Sequence, residues 1–402
     1  VLTERLEFAP DHDAEVFAAV PSAPAVFLLR GDDPHVEPYV SKTANLRRRL
    51  QRLLGAVEER TKKLNLRDRV RFIEYAPTGS DFESGFMLYR VLREAFPRTY
   101  SNRMRFRFAP LVKLHLENQY PRASITTRLG RLKSGNLYYG PFQSRLAAEK
   151  FMNDSLDFFK MRRCVDDLNP DPKFPGCIYS EMKMCLAPCF KGCSDEEYSF
   201  EVNRVQAYFD SGGESLSREF SAQRDAASAN LAFEDAAAIH VKVEKLKPVL
   251  NQFPEIVRRL DYLSALIIQP CHLTDSVTFF RVECGAISGS AAFAIQAAEH
   301  KKSQSMESRV QAVLDTFSAP KIRPALETME HLALLKRWYY RGSRIGEIFL
   351  TDDKGIFPMR RIVRGIGRVL RGERPEVDPS RQMHQTNDSY QSTPSVRPES
   401  IG

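Results

Sequence analysis

The chain has 402 residues, 43% of them hydrophobic and 27% charged, which excludes a wholly disordered polymer and leaves room for several domains with real cores. No run approaches the roughly 18 apolar residues of a membrane span, and residues 1–10 carry neither an apolar stretch nor a basic leader, so a soluble, cytoplasmic protein without a membrane partner is expected. With 59 Lys+Arg against 51 Asp+Glu the net charge is +8, which favours a polyanionic partner.

Residues 23–29 form an apolar run that ends at Gly31-Asp32-Asp33-Pro34, and residues 36–40 resume it, predicting a β-hairpin. A helix is expected over 44–54, a third strand over 70–75, and a helix over 82–96 stopped by Pro97. Between positions 42 and 71 stand eleven basic residues, Arg47, Arg48, Arg52, Lys62 and Lys63 among them, against three acids. A second basic stretch, 90–113, interleaves Arg90, Arg93, Arg98, Arg103, Arg105, Arg107 and Lys113 with Phe96, Tyr100, Phe106 and Phe108. Cations beside rings suit phosphate contacts next to stacking surfaces, and two such stretches in one domain point to nucleic acid.

Five of the seven cysteines lie between 164 and 193: Cys164, Cys177, Cys185, Cys189 and Cys193. A cytosolic chain keeps thiols reduced, so the cluster reads as soft metal ligands, the alternative being a knot of buried free thiols. Cys185 and Cys189 are expected one helical turn apart on one face. Beyond them, Ser194 with Glu197 is a capping box, and Tyr198, Val202, Val205 and Phe209 recur at helical spacing up to Gly212-Gly213. Helices over 216–227 and 231–246 should pair as a hairpin, the second stopped by Pro248. Strands at 263–268, 276–283 and 291–295 suggest a meander, with helices near 306–317 and 325–340 after it. From about Arg371 the composition predicts a disordered tail.

Ala25-Val26-Phe27, Tyr39-Val40-Ser41-Lys42 and Asn45-Leu46-Arg47-Arg48-Arg49-Leu50 resemble a GIY-YIG nuclease domain of the UvrC excinuclease family. Tyr138-Tyr139-Gly140-Pro141-Phe142 is similar to the family's YFGPY, Cys185-Leu186-Ala187-Pro188-Cys189 to its C-x-A-P-C, and residues 231–237 to the LEFERAA of the UVR motif. The resemblance implies an α+β fold: a small GIY-YIG-like α/β sandwich over 1–115, linker strands and a Cys-rich metal segment over 116–195, and a UVR-type helical hairpin over 196–250. A small mixed α/β region over 251–365 and a disordered tail over 366–402 complete it. It further implies a compact form of the family, because the stretch after 348 is too short and polar for an RNase H-like nuclease or helix-hairpin-helix grips.

By the same resemblance Tyr39, Lys42 and Arg49 fall on catalytic positions in vestigial form. Phe27 replaces a tyrosine, Ser41 replaces the glycine of YIG, and the metal-binding glutamate falls on Leu88, or on Tyr89 if the register slips by one. Glu83 and Glu94 are the nearest acids. Cys164, Cys177, Cys185 and Cys189 are implied to hold an iron–sulfur cluster, zinc being the alternative, with Cys193 spare. Phe233, Glu234, Ala236 and Ala237 are implied to meet a UvrB-type helicase subunit, Phe233 as anchor. The expected function is a DNA-binding protein of nucleotide excision repair without intact GIY-YIG activity. The alternative is an active, magnesium-dependent endonuclease cutting at damaged DNA.

Overall fold

The computed structural model describes residues 1–56, 64–130, 135–165, 168–296, 304–317 and 323–375. Strand β1 (Glu4–Glu7), helix α1 (Asp13–Ala19), strands β2 (Ala25–Arg30) and β3 (Tyr39–Thr43), helix α2 (Leu46–Leu54), strand β4 (Phe72–Pro77) and helix α3 (Asp81–Ala95) build the N-terminal unit. Its sheet runs β1-β4-β2-β3, antiparallel throughout. Strand β2 is central and buried on both faces. Ala25, Phe27 and Leu29 pack with Leu46, Leu50, Leu53 and Leu54 of α2, while Val26 and Leu28 meet Val91 of α3 on the other side. Side chains fix where the helices start: Asn45 accepts the Arg48 N–H at 2.9 Å, and Ser80 the Glu83 N–H at 3.1 Å. The hairpin's second strand is β3, starting at Tyr39 and not at 36, because Pro38 has no N–H for the ladder. Strand β1 was not anticipated; its ERLE sequence offers one half-buried residue, Leu6, as a period-two signal.

After α4 (Tyr100–Met104), strands β5 (Leu111–Leu114), β6 (Ala123–Thr126) and β7 (Leu137–Gly140) enter a second sheet, and α5 (Arg145–Leu156) and α6 (Ile178–Glu181) follow. Helices α7 (Asp195–Asp210), α8 (Glu214–Ala229) and α9 (Phe233–Asn251) then lead to β8 (Arg258–Arg259), which closes the sheet in the order β6-β5-β7-β8. Strands β5 and β8 belong to one sheet, so the boundaries expected at 115 and 250 fall beside its members, and the strands expected within 116–195 include β6 and β7. The capping box at α7 is formed in both directions, Glu197 N–H to Ser194 Oγ at 3.1 Å and Ser194 N–H to Glu197 Oε2 at 2.9 Å. Tyr198, Val202, Val205 and Phe209 all face the core. Pro248 does not end α9. Lying in its last turns, the proline forfeits a single hydrogen bond, and burial of Leu246 and Val249 on either side carries the helix on to Asn251.

Strands β9 (Ala265–Pro270), β10 (Ser276–Glu283) and β11 (Ala286–Ala294) form the expected meander, turning at Cys284 and Gly285 with φ of 48° and 75°. Glycine supplies that left-handed turn at no steric cost. Helices α10 (Met306–Leu314) and α11 (Ala325–Tyr339), strand β12 (Glu347–Leu350) and helix α12 (Met359–Leu370) complete the unit, with sheet order β11-β10-β9-β12. Helices α10 and α12 cover one face, over Leu266, Ile268 and Phe279. The other face shares its core with α11 and α3, where Phe82 meets Phe280 edge-on at 5.0 Å. Residues 366–370, expected to belong to the tail, are therefore part of α12. Ile362, Ile366 and Val369 are buried at steps of four and three, and Arg368 Nη2 pairs with Glu347 at 2.8 Å. Residues 376–402 lie outside the described residues. Among the described residues no helix is long and apolar enough to cross a membrane.

Candidate nucleic-acid interface

Strand β3 and helix α2 bring Tyr39 and Arg49 together: Arg49 Nη2 donates to the Tyr39 hydroxyl at 2.7 Å. Arg49 Nε is buried and, among the described residues, has no partner, a donor left over for an anion or water. Phe27 is fully buried behind them, its ring centre 6.0 Å from that of Tyr39.

Lys42 Nζ pairs with Asp81 at the first turn of α3, and the second carboxylate oxygen of Asp81 takes Arg341 at 2.8 Å. Burial pushes the Asp81 carboxyl upward, but the Lys42 hydrogen bond and the charges of Lys42, Arg341 and Arg337 outweigh it and hold the carboxyl below its usual range. Leu88 lines a cavity shared with Lys42. Tyr89 points away into the core, where its hydroxyl donates to Glu330 of α11 at 2.8 Å. Burial and that carboxylate push the Tyr89 hydroxyl's pKa well above its ordinary value. Glu83 accepts the Gly79 N–H at 2.6 Å and lies near Thr278, its own pKa raised by burial, while Glu94 is exposed on a later turn. Asp81 is thus the acid that reaches Lys42, and it does so already saturated with cations.

The basic residues divide by role. Arg48 and Arg52 stand exposed four positions apart on α2, hence on one face. Arg47 is committed to backbone, donating to the carbonyls of Val20 at 2.8 Å and Ala18 at 3.1 Å. Lys62 and Lys63 lie outside the described residues. In the second stretch Arg103, Arg105 and Arg107 are exposed, alternating with Met104, Phe106 and Phe108, which pack against the core. Phe96 is buried under Arg103, and Tyr100 donates to Glu330. These rings are core and junction residues, so the expected stacking surface is not formed by them.

Cys164, Cys177, Cys185 and Cys189 are all half-buried in the loop before α7. Burial, with smaller contributions from nearby Cys164, Cys189 and Cys177, pushes the Cys185 thiol up to about 11. Cys185 Sγ accepts the Ala187 N–H at 3.3 Å, and Arg162 Nη1 approaches Cys164 Sγ at 3.4 Å. Among the described residues, no three His, Cys, Asp or Glu side chains stand in a ligating arrangement. The expected helical turn from 185 to 189 is replaced by a left-handed Ala187, φ 58°, and a 3-10 turn over Pro188–Phe190. At the tip of the α8–α9 hairpin, Phe233 is 64% exposed, Glu234 and Ala237 are exposed, and Ala236 is half-buried.

Residues 110–208, from β5 through the cysteine loop and most of α7, match the UvrC/Cho excinuclease middle domain. Residues 110–208 thus carry the likeness to the UvrC/Cho excinucleases. It is 26% identical over 253 residues to the UvrABC system protein C of Rickettsia canadensis, 62% of this chain and 39% of that protein. To the UvrABC system protein C of Carboxydothermus hydrogenoformans it is 28% identical over 232 residues, 58% of this chain and 37% of the relative. The chain thus matches well under half the length of these curated relatives, and no solved structure matches it.

Two elements around the family's N-terminal site escaped the sequence reading. Asp81 reads as an ordinary acid in a helix's first turn, and only the tertiary fold turns it onto Lys42 and Arg341. Glu330 reads as a surface residue of an amphipathic helix, yet it is fully buried and bound by two tyrosine hydroxyls from α3 and α4.

Proposed function

We propose that this chain acts in nucleotide excision repair as a DNA-binding protein that joins a UvrB-type subunit and grips DNA with its N-terminal domain without cutting it. The observation that carries this reading is the makeup of the family site. Tyr39 and Arg49 are paired, whereas Phe27 has no hydroxyl, and by the resemblance the metal-binding carboxylate would fall on Leu88 or Tyr89, neither of them an acid. Loss of one proton carrier costs about 10²- to 10⁴-fold in rate. Loss of the metal-holding carboxylate removes several kcal/mol more of stabilisation from the attacked phosphate. Exposed Arg48 and Arg52 supply sequence-independent affinity instead.

One observation favours the second reading, a working divalent-metal endonuclease: Asp81 is a carboxylate beside Lys42. Its two cationic partners argue against magnesium binding there. The test is incubation of the purified protein with damaged duplex, a UvrA and UvrB pair, and magnesium or manganese. No incision is expected; incision abolished by Arg49→Ala would establish the endonuclease.

The spacing of Cys164, Cys177, Cys185 and Cys189, and not a ligating arrangement of their thiols, supports an iron–sulfur cluster there, zinc being the alternative, since all-thiolate donors suit both. Anaerobically purified protein is expected to be coloured and to contain iron. Protein with neither metal, together with unchanged stability in Cys185→Ser, would remove this part of the reading.

A further inference from the structure

A cavity of about 340 Å³ opens between α3 and α11, where the N-terminal and C-terminal units meet. Its charged wall is cationic: Lys42 from β3, Arg103 from α4, and Arg337, Arg341 and Arg344 from α11 and the turn after it. Asp81 is the acid on the same wall, and Lys42 and Arg341 share it. Arg103 is drawn outward to Glu37 at 2.6 Å. Arg344 is held over the rings of Tyr339 and Trp338, 4.7 and 5.3 Å from their centres. Arg337 is exposed and, among the described residues, is held by no ion pair or hydrogen bond. Positive charge therefore remains uncompensated at the mouth.

Leu88, Met104 and Leu334 add an apolar wall to the same cavity. A bare inorganic anion has no use for such a wall, whereas a nucleotide has a phosphate for the cations and a base for the apolar side. The volume lies at the small end of the range for organic ligands, about 300–1,000 Å³. A flat, uniformly charged track would be the expectation for backbone contacts alone. We propose that this cavity is a mononucleotide subsite, receiving a nucleoside monophosphate unit with its phosphate at Arg337 and Lys42 and its base against Leu88, Met104 and Leu334. The unit is either a free nucleotide or an unstacked nucleotide within a strand. The second source rests on the nucleic-acid reading above; the first does not.

The test titrates the full chain with deoxyadenosine monophosphate, inorganic phosphate and a short single-stranded oligonucleotide, alongside the Arg337→Ala and Leu88→Trp variants. Arg337 is exposed, so Arg337→Ala should fold normally, which circular dichroism checks. Losing one charge-assisted phosphate contact should weaken nucleotide binding about ten-fold or more. Leu88→Trp, which fills the cavity and removes no charge, should weaken the nucleotide and spare phosphate. Weakening of the oligonucleotide alone by both variants supports the subsite with a strand as its source. Weakening of the free nucleotide supports it with either source. If phosphate binds as tightly as the nucleotide and Leu88→Trp changes neither, the site is a bare anion site and the proposal is overturned. If Arg337→Ala changes none of the three affinities, it is overturned as well. Duplex binding that still depends on Arg48 and Arg52 would then leave the DNA-binding reading standing, so the two fail separately.

Discussion

Substitution of Glu330 should uncouple the two ends of the molecule, and the cost can be worked from the structure. The carboxylate is 0% exposed and accepts the hydroxyls of Tyr89 and Tyr100, each at 2.8 Å, from α3 and α4. Tyr89 in turn accepts Arg93 Nη1 at 3.0 Å, and Arg93 Nη2 reaches Glu327 at 3.0 Å, so the junction is a connected network. In Glu330→Leu the apolar side chain fits the space but strands the hydroxyl of buried Tyr89, at about 1–3 kcal/mol, whereas water can reach that of half-buried Tyr100 and its loss adds little. Tyr89→Phe removes one donor and leaves Glu330 with Tyr100, a loss of about 1–2 kcal/mol. In the double variant the Tyr89 hydroxyl no longer needs an acceptor, so the combined loss should fall short of the sum by about 1 kcal/mol or more. Urea denaturation followed by tyrosine and tryptophan fluorescence measures all four species. A Glu330→Leu protein within about 0.5 kcal/mol of the parent, or strictly additive losses, would refute the claim that this carboxylate holds the junction.

The cationic face makes a separable prediction: Arg48→Ala and Arg52→Ala should each reduce the salt dependence of duplex binding by about one phosphate contact. Arg47→Ala should instead lower stability with little change in that slope, because its guanidinium ties down the carbonyls of Val20 and Ala18. His331 is buried, its Nδ1 accepts the Ile287 N–H at 3.1 Å, and burial pushes its pKa down to about 4. The unfolded chain therefore takes up this proton first as pH falls; the stabilisation is complete above about pH 6.5 and is lost towards pH 4. Chemical denaturation at pH 7 and pH 5 should show a drop that shrinks in His331→Gln. For the hairpin, Phe233→Ala should abolish capture of the cognate UvrB in a pull-down without altering the far-ultraviolet circular dichroism, since the ring is exposed. Unchanged capture would make α9 a purely structural helix.

Local patterns were legible where a short stretch carries its own boundary chemistry. Ser194 with Glu197 announced α7, and the apolar run along 23–29 announced a strand. What stayed hidden was what depends on partners distant in sequence. Strand β5 has four residues, and its sheet recruits β8 some 140 positions later, which no local period reveals. Helix α12 was obscured by its composition: six of its twelve residues are Arg or Gly, and its apolar spacing is clear once α10 and β9 lie beneath it. The paired Tyr39 and Arg49 were found from the resemblance, whereas their surroundings were not. The aromatic residues at 96–108 looked like stacking platforms because sequence alone does not say which side of a cation-rich segment faces inward.

The cavity beside Lys42 and the junction between the units are physically one feature, because adjacent positions on α3 serve both. Leu88 faces the cavity whose far wall is α11, and Tyr89 reaches past it to grip Glu330 on the same helix. A glutamate at 88 would meet Lys42, Arg337 and Arg341 before any divalent ion, and an ion-paired carboxylate is a poor ligand for a hard cation that demands free oxygens. Asp81 already shows that outcome, its carboxylate divided between Lys42 and Arg341. Docking α11 against α3 thus brings Arg337 and Arg341 into one cavity with Lys42 and Asp81. In the binding-only reading proposed above, that contact would disfavour metal-dependent cutting and favour holding the phosphate of a bound strand.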